Sequence, residues 1–409
     1  NDALRQGATT STASRGDGRV RSGLVLVQVA VACVVLVAAA LMTRSLVKLQ
    51  ASRGGYDVRN VLTARVDLNW SRYTTATHTN AFADRLLTEL RNTPGVVAVS
   101  LSSDFPMNNG VPSSQPFLIR GRDASPEKLE GQTSDVTTVG TGFFATAGIP
   151  LVRGRGFDEA DRDTLNIPAV IGQRLAATHW KSEDPLGQQI SWDNGRHWAT
   201  IVGISGDVRM NSLSSDISDQ IYLPFSIRPT SDIRVMIKTR GDASLAAPII
   251  RKAVHDIDDK QPVSSVQTLE QLRGTRLTEP RVTTVLLVAF AALALAITAA
   301  GLVGVVGQSV SQRMSEIGIR VALGASARQV LWSVMRGATF VVALGIVLGL
   351  GASVFATRLI GTLLYQMTST DALTYSAVGL LLLTLATLAC LVPARRALAV
   401  QPVEALRAR

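Results

Sequence analysis

Residues 312–336 read QRMSEIGIRVALGASARQVLWSVMR, and this stretch decides how the rest of the chain is interpreted. It is a short connector between two long apolar runs, with Arg313, Arg320, Arg328 and Arg336 set against the single acid Glu316. The run before it, Val282–Gln312, and the run after it, Gly337–Thr357, contain no Asp, Glu, Lys, Arg or His. Two further uncharged runs are Ser22–Thr43 and Ala372–Ala394. About 20 apolar residues in a helix cross the ~30 Å of hydrocarbon in a bilayer, so all four runs are read as transmembrane helices. Four runs of this kind rarely coincide in a soluble protein.

The formal net charge of the 409-residue chain is +10, and its location matters more than its size. Ser45–Pro280 carries 26 basic and 26 acidic residues, a balance of zero. A nucleic-acid binder would carry its basic face on the folded domain, so that class is excluded and no nucleic-acid partner is expected. The excess sits beside the apolar runs: +2 in residues 1–21, +3 in 312–336 and +3 in 395–409. Basic residues flank spans on the cytoplasmic side. Alternation then puts both termini and the connector in the cytoplasm. Residues 45–280 and the loop before Ala372 fall outside, periplasmic or extracellular. The expected setting is a bacterial cytoplasmic (inner) membrane.

The expected architecture is an α-helical membrane protein with four transmembrane helices and a large α/β extracytoplasmic domain. Residues 1–21 read as a flexible cytoplasmic segment, 22–43 as the first span and 395–409 as a cytoplasmic tail. Within 45–280, Val61–Leu68 alternates as a strand does, and Thr77–Leu90 places Phe82, Leu86, Leu87 and Leu90 at helical spacing. Val96–Leu101 and Ile233–Thr239 read as strands, Leu245–Ile257 as an amphipathic helix and Val263–Val266 as a further short strand. Residues 45–110 and 229–280 therefore form an α/β lobe. Residues 111–228, rich in turns and short strands, form an inserted β-rich lobe. The second span, 282–312, is longer than a bilayer needs, at ~1.5 Å rise per residue, and is expected to continue outward as a stalk. The third and fourth spans are 337–357 and 372–394. Gly345 and Gly349 have the spacing that lets helices approach closely.

The chemistry of catalysis is missing. No Gly-Lys dipeptide occurs, so the chain has no phosphate-binding loop of that type. His78, His179, His197 and His255 are scattered, and no spacing typical of a metal site is present. Asp158, Glu159, Asp161 and Asp163 cluster, and a solvated turn is the favoured reading. Cys33 and Cys390 fall inside spans, which leaves the outer domain without disulfides. No Asp, Glu, Lys, Arg or His lies within a span, and substrate paths through a membrane generally need such a residue. No enzyme activity, cofactor or metal is expected.

In the connector, Glu316 and Arg320 are spaced i, i+4 in the order that favours a helix by ~0.3–0.5 kcal/mol. Ile317, Ile319, Val321 and Leu323 also alternate as in a strand, so periodicity alone leaves both open. A lone strand at a membrane surface would lack a partner, so a short helix ending at Gly324 is preferred. Ser326 and Gln329 then form a capping box for the next helix. The segment 313–336 reads as a cytoplasmic elbow, either a basic anchor or a docking element.

RMSEIGIRVALGASARQVL resembles the cytoplasmic signature of MacB/FtsX-type ABC-transporter permeases, and PARRALAVQPVEALRAR (393–409) is similar to the ending of that family. FFATAGIPLVRGRGF (143–157), DPLGQQI (184–190) and IVGISGDVR (201–209) add outer-domain likeness. Gly172-Gln173-Arg174 departs from it, since relatives more often place Asn-Glu there. NDALRQG at the start resembles the linker before the second half of duplicated, double-length permeases, which implies a chain equivalent to one half. The resemblance implies a permease working as a dimer or pseudo-dimer with a cytoplasmic ABC-type ATPase. Arg313, Glu316, Ile317, Gly318, Arg320, Ala322, Leu323, Gly324 and Ala325 would form the coupling helix that docks in it. ATPase motion would reach the outer domain by mechanotransmission, for export of hydrophobic or amphipathic compounds such as antibiotics, with a periplasmic adaptor as a further partner. The alternative is an FtsX-like signal relay controlling a cell-wall hydrolase. The large outer domain favours export, because such relays generally carry a smaller one.

Overall fold

The computed structural model describes residues 10–52, 54–107, 114–122, 132–162, 166–210, 217–312, 326–359 and 371–398. The chain divides into a helical unit, Asn1–Gln50 with Pro280–Arg409, and an α/β unit, Ala51–Glu279. Helix α1 (Thr10–Ala51) opens the described chain. It starts where the sequence predicts a flexible segment, and it runs through Arg44 and Lys48, which end the apolar run without ending the helix. Charged residues with long straight side chains are good helix formers, so apolar length underestimates helix length.

The α/β unit follows. β1 (Val61–Asp67) leads to α2 (Ala76–Arg91) and β2 (Val96–Ser102). Thr75 caps α2, its side chain accepting from the His78 N–H at 3.3 Å. After β2 come β3 (Ser114–Pro116), β4 (Leu118–Ile119), β5 (Thr133–Val139), α3 (Phe143–Ala147) and β6 (Leu151–Gly154). β7 (Ile167–Gly172), α4 (Gln173–His179), β8 (Gln189–Ser191), β9 (Ala199–Ser205) and β10 (Gln220–Pro224) continue. β11 (Asp232–Thr239), α5 (Ala247–Ile257), β12 (Val263–Thr268) and α6 (Leu269–Arg276) complete the unit.

These strands form a sheet in the order β12-β1-β11-β2-β5-β10-β7-β9-β8-β4, with β3 on β5 and β6 on β9. In the first half, β1 and β2 each run antiparallel to β11, which lies between them. That order, with α2 and α5 as the two crossover helices, is the split β-α-β arrangement of ferredoxin-like folds. Its core is fed by both helices: Phe82, Leu86 and Leu90 of α2 and Ile250 and Val254 of α5 are buried against Val66, Leu101 and Val235. Each such side chain contributes ~1.5–3 kcal/mol by leaving water. The second half contains the parallel pairs β5/β10 and β7/β9. It has its own core of Phe117, Ile171, Leu175, Trp180, Ile190 and Trp192. The two halves share one sheet, yet β2 and β5 meet through the single pair Ser102↔Val139.

The chain returns to the helical unit with α7 (Thr278–Gln312), α8 (Ala327–Leu359) and α9 (Ala372–Leu398). Among the described residues, four helical runs are long and apolar enough to cross a membrane: Val20–Ala51, Leu269–Ser311, Met335–Arg358 and Ala372–Leu391. The second of these is a 43-residue run made of α6, Leu277 and α7 as far as Ser311. Their packed interior joins Val29, Cys33 and Val37 of α1 to Val342 and Ile346 of α8 and Leu382 and Ala386 of α9. A Cβ on Gly345 would sit 2.9 Å from the Val29 Cβ, and one on Gly349 2.6 Å from the Cys33 Cβ. The spacing seen in the sequence is thus the contact of α8 with α1. Asp371 accepts from the Thr374 N–H at the start of α9 and pairs with Arg44 of α1. At the start of α8, the Ser326 N–H donates to Gln329 Oε1 at 3.1 Å, the side-chain arm of the expected capping box. The Gln329 N–H donates to the Ser326 carbonyl.

This packing separates two glycines of α8. Gly349→Leu should cost about 1–3 kcal/mol by overpacking. Gly351→Leu, where a Cβ would meet nothing within 4 Å, should stay within about 0.5 kcal/mol. Thermal unfolding of the purified full chain in detergent compares them. Equal shifts would show that α8 does not pack on α1 through Gly349.

Candidate functional site

The residues that the sequence singles out for docking, Arg313, Glu316, Ile317, Gly318, Arg320, Ala322, Leu323, Gly324 and Ala325, lie outside the described residues. The described part of the machinery is the place where the chain leaves α1 and re-enters α7. There, within the α/β unit, residues 52–57 and helix α6 are tied together.

Helix α6 is firmly started. Thr268 Oγ1 accepts from the Gln271 N–H at 3.1 Å, and Gln271 Oε1 accepts from the Thr268 N–H at 2.9 Å. This closed capping box fixes the first turn. Arg273 and Arg276 lie one turn apart, three residues being a near-repeat of the helix. Arg273 Nη2 donates to the Ser52 carbonyl at 3.1 Å, one residue beyond the end of α1. Arg276 Nε donates to the Met107 carbonyl at 3.1 Å. Met107 is fully buried and holds the left-handed φ of 71°, a conformation that costs free energy in a non-glycine residue. Its own N–H donates to the Met210 carbonyl at 2.7 Å.

The strand of chain after α1 is bound as tightly. The Arg209 N–H donates to the Gly54 carbonyl at 2.9 Å, and the Asp57 N–H to the Ala147 carbonyl at 2.8 Å. Gly55 has φ +84°, and a Cβ there would lie 2.1 Å from the Asp207 carbonyl oxygen, so only glycine allows this approach. The Tyr56 hydroxyl is buried with no hydrogen-bond partner among the described residues. Burial pushes its pKa up to about 12, while Arg273 pulls it the other way. Lys238 and Arg59 flank Asp57. Hydrogen bonding from Arg59 is the main cause that holds the Asp57 carboxyl below its usual range. The result is a knot in which α6, the exit of α1, and the 107 and 207–210 segments are joined largely through backbone carbonyls. No sequence signal pointed to Arg273 or Arg276, because their acceptors are main-chain atoms more than 150 residues away.

The acidic cluster is held by arginines. Asp161 is buried and takes a two-point grip from Arg155, at 2.7 and 2.9 Å, as well as the Asp158 N–H. Glu159 pairs with Arg91 and Arg162. Asp163 lies outside the described residues. Among the described residues, no group of three or more His, Cys, Asp or Glu is arranged to hold a metal. His197 pairs with Asp193 and stacks on Trp192, and His179 lies edge-on to Phe117. At the departure point, Arg174 Nε lies 3.4 Å from Asp219 and its N–H donates to Asp207.

Residues 24–251 match the family model of the MacB-like periplasmic core domain, and residues 288–402 match that of the FtsX-like permease C-terminal domain. The chain is 26% identical over 336 residues to the macrolide export ATP-binding/permease protein MacB of Marinobacter nauticus, across 76% of this chain and 49% of that protein. It is 22% identical over 337 residues to the ABC transporter permease YknZ of Bacillus subtilis, across 78% of this chain and 82% of that protein. The chain spans about half the length of the MacB relatives it matches. The crystal structure of the periplasmic region of MacB from Actinobacillus actinomycetemcomitans aligns at 16% identity with a TM-score of 0.38, covering 56% of this chain and 97% of that one.

Arg155 gives the α/β unit a defined acid response. Its hydrogen bonds are the main cause that lowers the Asp161 pKa below the ordinary 3.8. A carboxyl depressed in the folded state stabilises fully above its unfolded pKa and loses that contribution as pH falls through the folded value. Asp161→Asn should therefore unfold below wild type at pH 7, with the gap closing as pH falls below about 4. A melting-temperature series from pH 7 to 3 checks this. A gap that stays constant across the series would contradict it.

Proposed function

The chain belongs to the MacB/FtsX-type ABC-transporter permease family, and from that premise we propose that it transmits the motion of a cytoplasmic ATPase to its α/β unit. Its setting is a bacterial cytoplasmic membrane, with both termini and the 312–336 connector on the cytoplasmic side. The observation that carries this reading is the knot at Ser52, Met107 and Arg273. Both long helices that lead into the α/β unit, α1 and the α6–α7 run, end at one set of hydrogen bonds, so a displacement of either is felt by the other. The four apolar runs hold no Asp, Glu, Lys, Arg or His, which suits levers better than a substrate path.

In this mechanism the ATPase grips the connector through Glu316 and Arg320, with Gly318 and Gly324 allowing close approach. ATP-driven closure rocks α7 and α8, and α6 delivers the movement to the 107 and 210 segments. The exported compounds are hydrophobic or amphipathic. Support comes from relatives named for macrolide export and from an extracytoplasmic unit large enough to handle cargo outside the bilayer. The working unit is two permease copies or two fused halves over two ATPase subunits, with a periplasmic adaptor as a further partner.

Co-purification tests the docking element. The intact chain should retain a P-loop ATPase of its own organism through detergent extraction, and Glu316→Lys/Arg320→Glu should lose it by at least about tenfold, the effect of removing ~1.4 kcal/mol. Retention by both chains, or by neither, would remove the connector from this role. In a deletion strain, export predicts impaired efflux with normal cell separation. Chained cells with unchanged efflux would instead identify an FtsX-like relay.

A further inference from the structure

The α/β unit has two hydrophobic cores, and among the described residues the sheet passes from one half to the other through a narrow join. β2 of the first half and β5 of the second meet at Ser102↔Val139. Along the same line the Gly140 N–H donates to Leu101 at 2.7 Å and the Ser103 N–H to Thr138 at 2.8 Å. Helix α3 packs against β2 beside it. Directly over this line lies a cleft of ≈ 420 Å³. Its floor includes Leu101, Val139 and Phe225, one wall is α2 with Asp84 and Leu87, and the other carries Phe157 and Arg162.

A chain of charges runs beside the cleft, and Asp84, Thr141 and Arg162 of that chain are among its lining residues. Arg162 Nη1 reaches Asp84 Oδ1 of α2 at 2.6 Å, and Arg162 Nε reaches Glu159 Oε2 at 2.7 Å. Glu159 Oε1 meets Arg91 Nη1, also of α2, at 3.2 Å. Arg91 Nη2 continues to Thr141 Oγ1 at 2.7 Å, and the Thr141 hydroxyl donates back to Glu159. Glu159 and Arg162 sit on a single helical turn, Glu159–Arg162, between β6 and β7, and both strands pair with β9 in the second half. Asp84 and Arg91 belong to the first half. The Arg162–Asp84 and Glu159–Arg91 pairs therefore join one half to the other, while Arg162–Glu159 lies within the helical turn. A further tie, Asn80 Nδ2 to the Ser226 carbonyl at 2.8 Å, lies among the lining residues of the cleft.

The partners are 31–57% exposed. Exposed ion pairs in water are individually weak and screened by salt. A weak, salt-sensitive closure beside a sheet joined by one residue pair has the form of a catch that opens and recloses, while the Gly54–Arg209 and Met107–Met210 hydrogen bonds hold the halves together elsewhere. We propose that Asp84, Arg162, Glu159 and Arg91 form an electrostatic latch. The two halves of the α/β unit rock about the β2/β5 line, and the latch sets how often the cleft stands open. Opening widens a cleft whose lining is mostly polar, with Leu87, Leu101, Val139, Phe157 and Phe225 as its apolar part, so the latch gates access to it. The device belongs to the α/β unit alone and needs no ATPase.

Spin labels are placed at Glu89→Cys on α2, in the first half, and at Lys181→Cys after α4, in the second half, with Cys33→Ala and Cys390→Ala removing the native thiols. Pulsed-EPR distances are measured on the full chain in nanodiscs. With the latch intact, one short distance should dominate at 50 mM salt. The longer-distance population should rise about threefold to tenfold at 0.5 M salt, and equally at low salt in Arg162→Gln. Salt should then have no further effect in Arg91→Gln/Arg162→Gln. A distance distribution unchanged by salt in the unaltered latch would overturn the proposal, whatever the variants do, because that measurement needs no substitution that affects folding.

Discussion

The Arg273 guanidinium on the Ser52 carbonyl is the contact on which the rest of the molecule depends. A hydrogen bond to a charged group is worth ~1.5–3 kcal/mol, modest against a whole fold, but its position gives it leverage. Ser52 follows the last residue of α1, and Arg273 is five residues before α7 begins. One bond therefore ties the chain leaving the helical unit to the chain returning to it. Arg276 extends the tie through Met107 to Met210, so the second half of the sheet is bound to the same point. Without these contacts, α1 and α7 would enter the α/β unit as two loose tethers.

Around that point the structure alternates stiff and yielding parts. Helices transmit displacement along their axes because every internal carbonyl is hydrogen-bonded within the helix. α1 and α8 are held together by Gly345 and Gly349, with no room for a Cβ between backbone and backbone. The first half of the sheet is stiff as well, four strands backed by α2 and α5 over one core. Within the sheet, among the described residues, the halves are joined by one residue pair on the β2/β5 line, and the Met107–Met210 hydrogen bond joins them again outside it.

The membrane helices were legible in the sequence because bilayer thickness fixes their length and forbids charge. β1 and β11 were legible because Leu62, Ala64 and Val66, and Ile233, Val235 and Ile237, follow the period of a pleated strand. β5 was not: TSDVTTV looks like a loop, yet Thr137, Thr138 and Asp135 are buried between β10, β3 and β2. Only tertiary partners make such polar residues strand-like. The full extent of α1 was missed because Arg44 and Lys48 interrupt hydropathy without interrupting helix. The knot was invisible for a different reason, since arginine binding a distant carbonyl leaves no local pattern. The docking residues 313–325 rest on the sequence alone.

The central claim is that ATPase motion reaches the α/β unit through the Arg273 and Arg276 knot. The direct measurement is the distance between labels on α2 and α5-flanking residues of two permease copies, in nanodiscs with the ATPase, with and without ATP and a trapped hydrolysis state. A nucleotide-dependent change in the wild-type complex that disappears in Arg273→Gln/Arg276→Gln, with ATPase binding and ATP turnover retained, is the predicted result. A change of the same size in that variant would contradict the account.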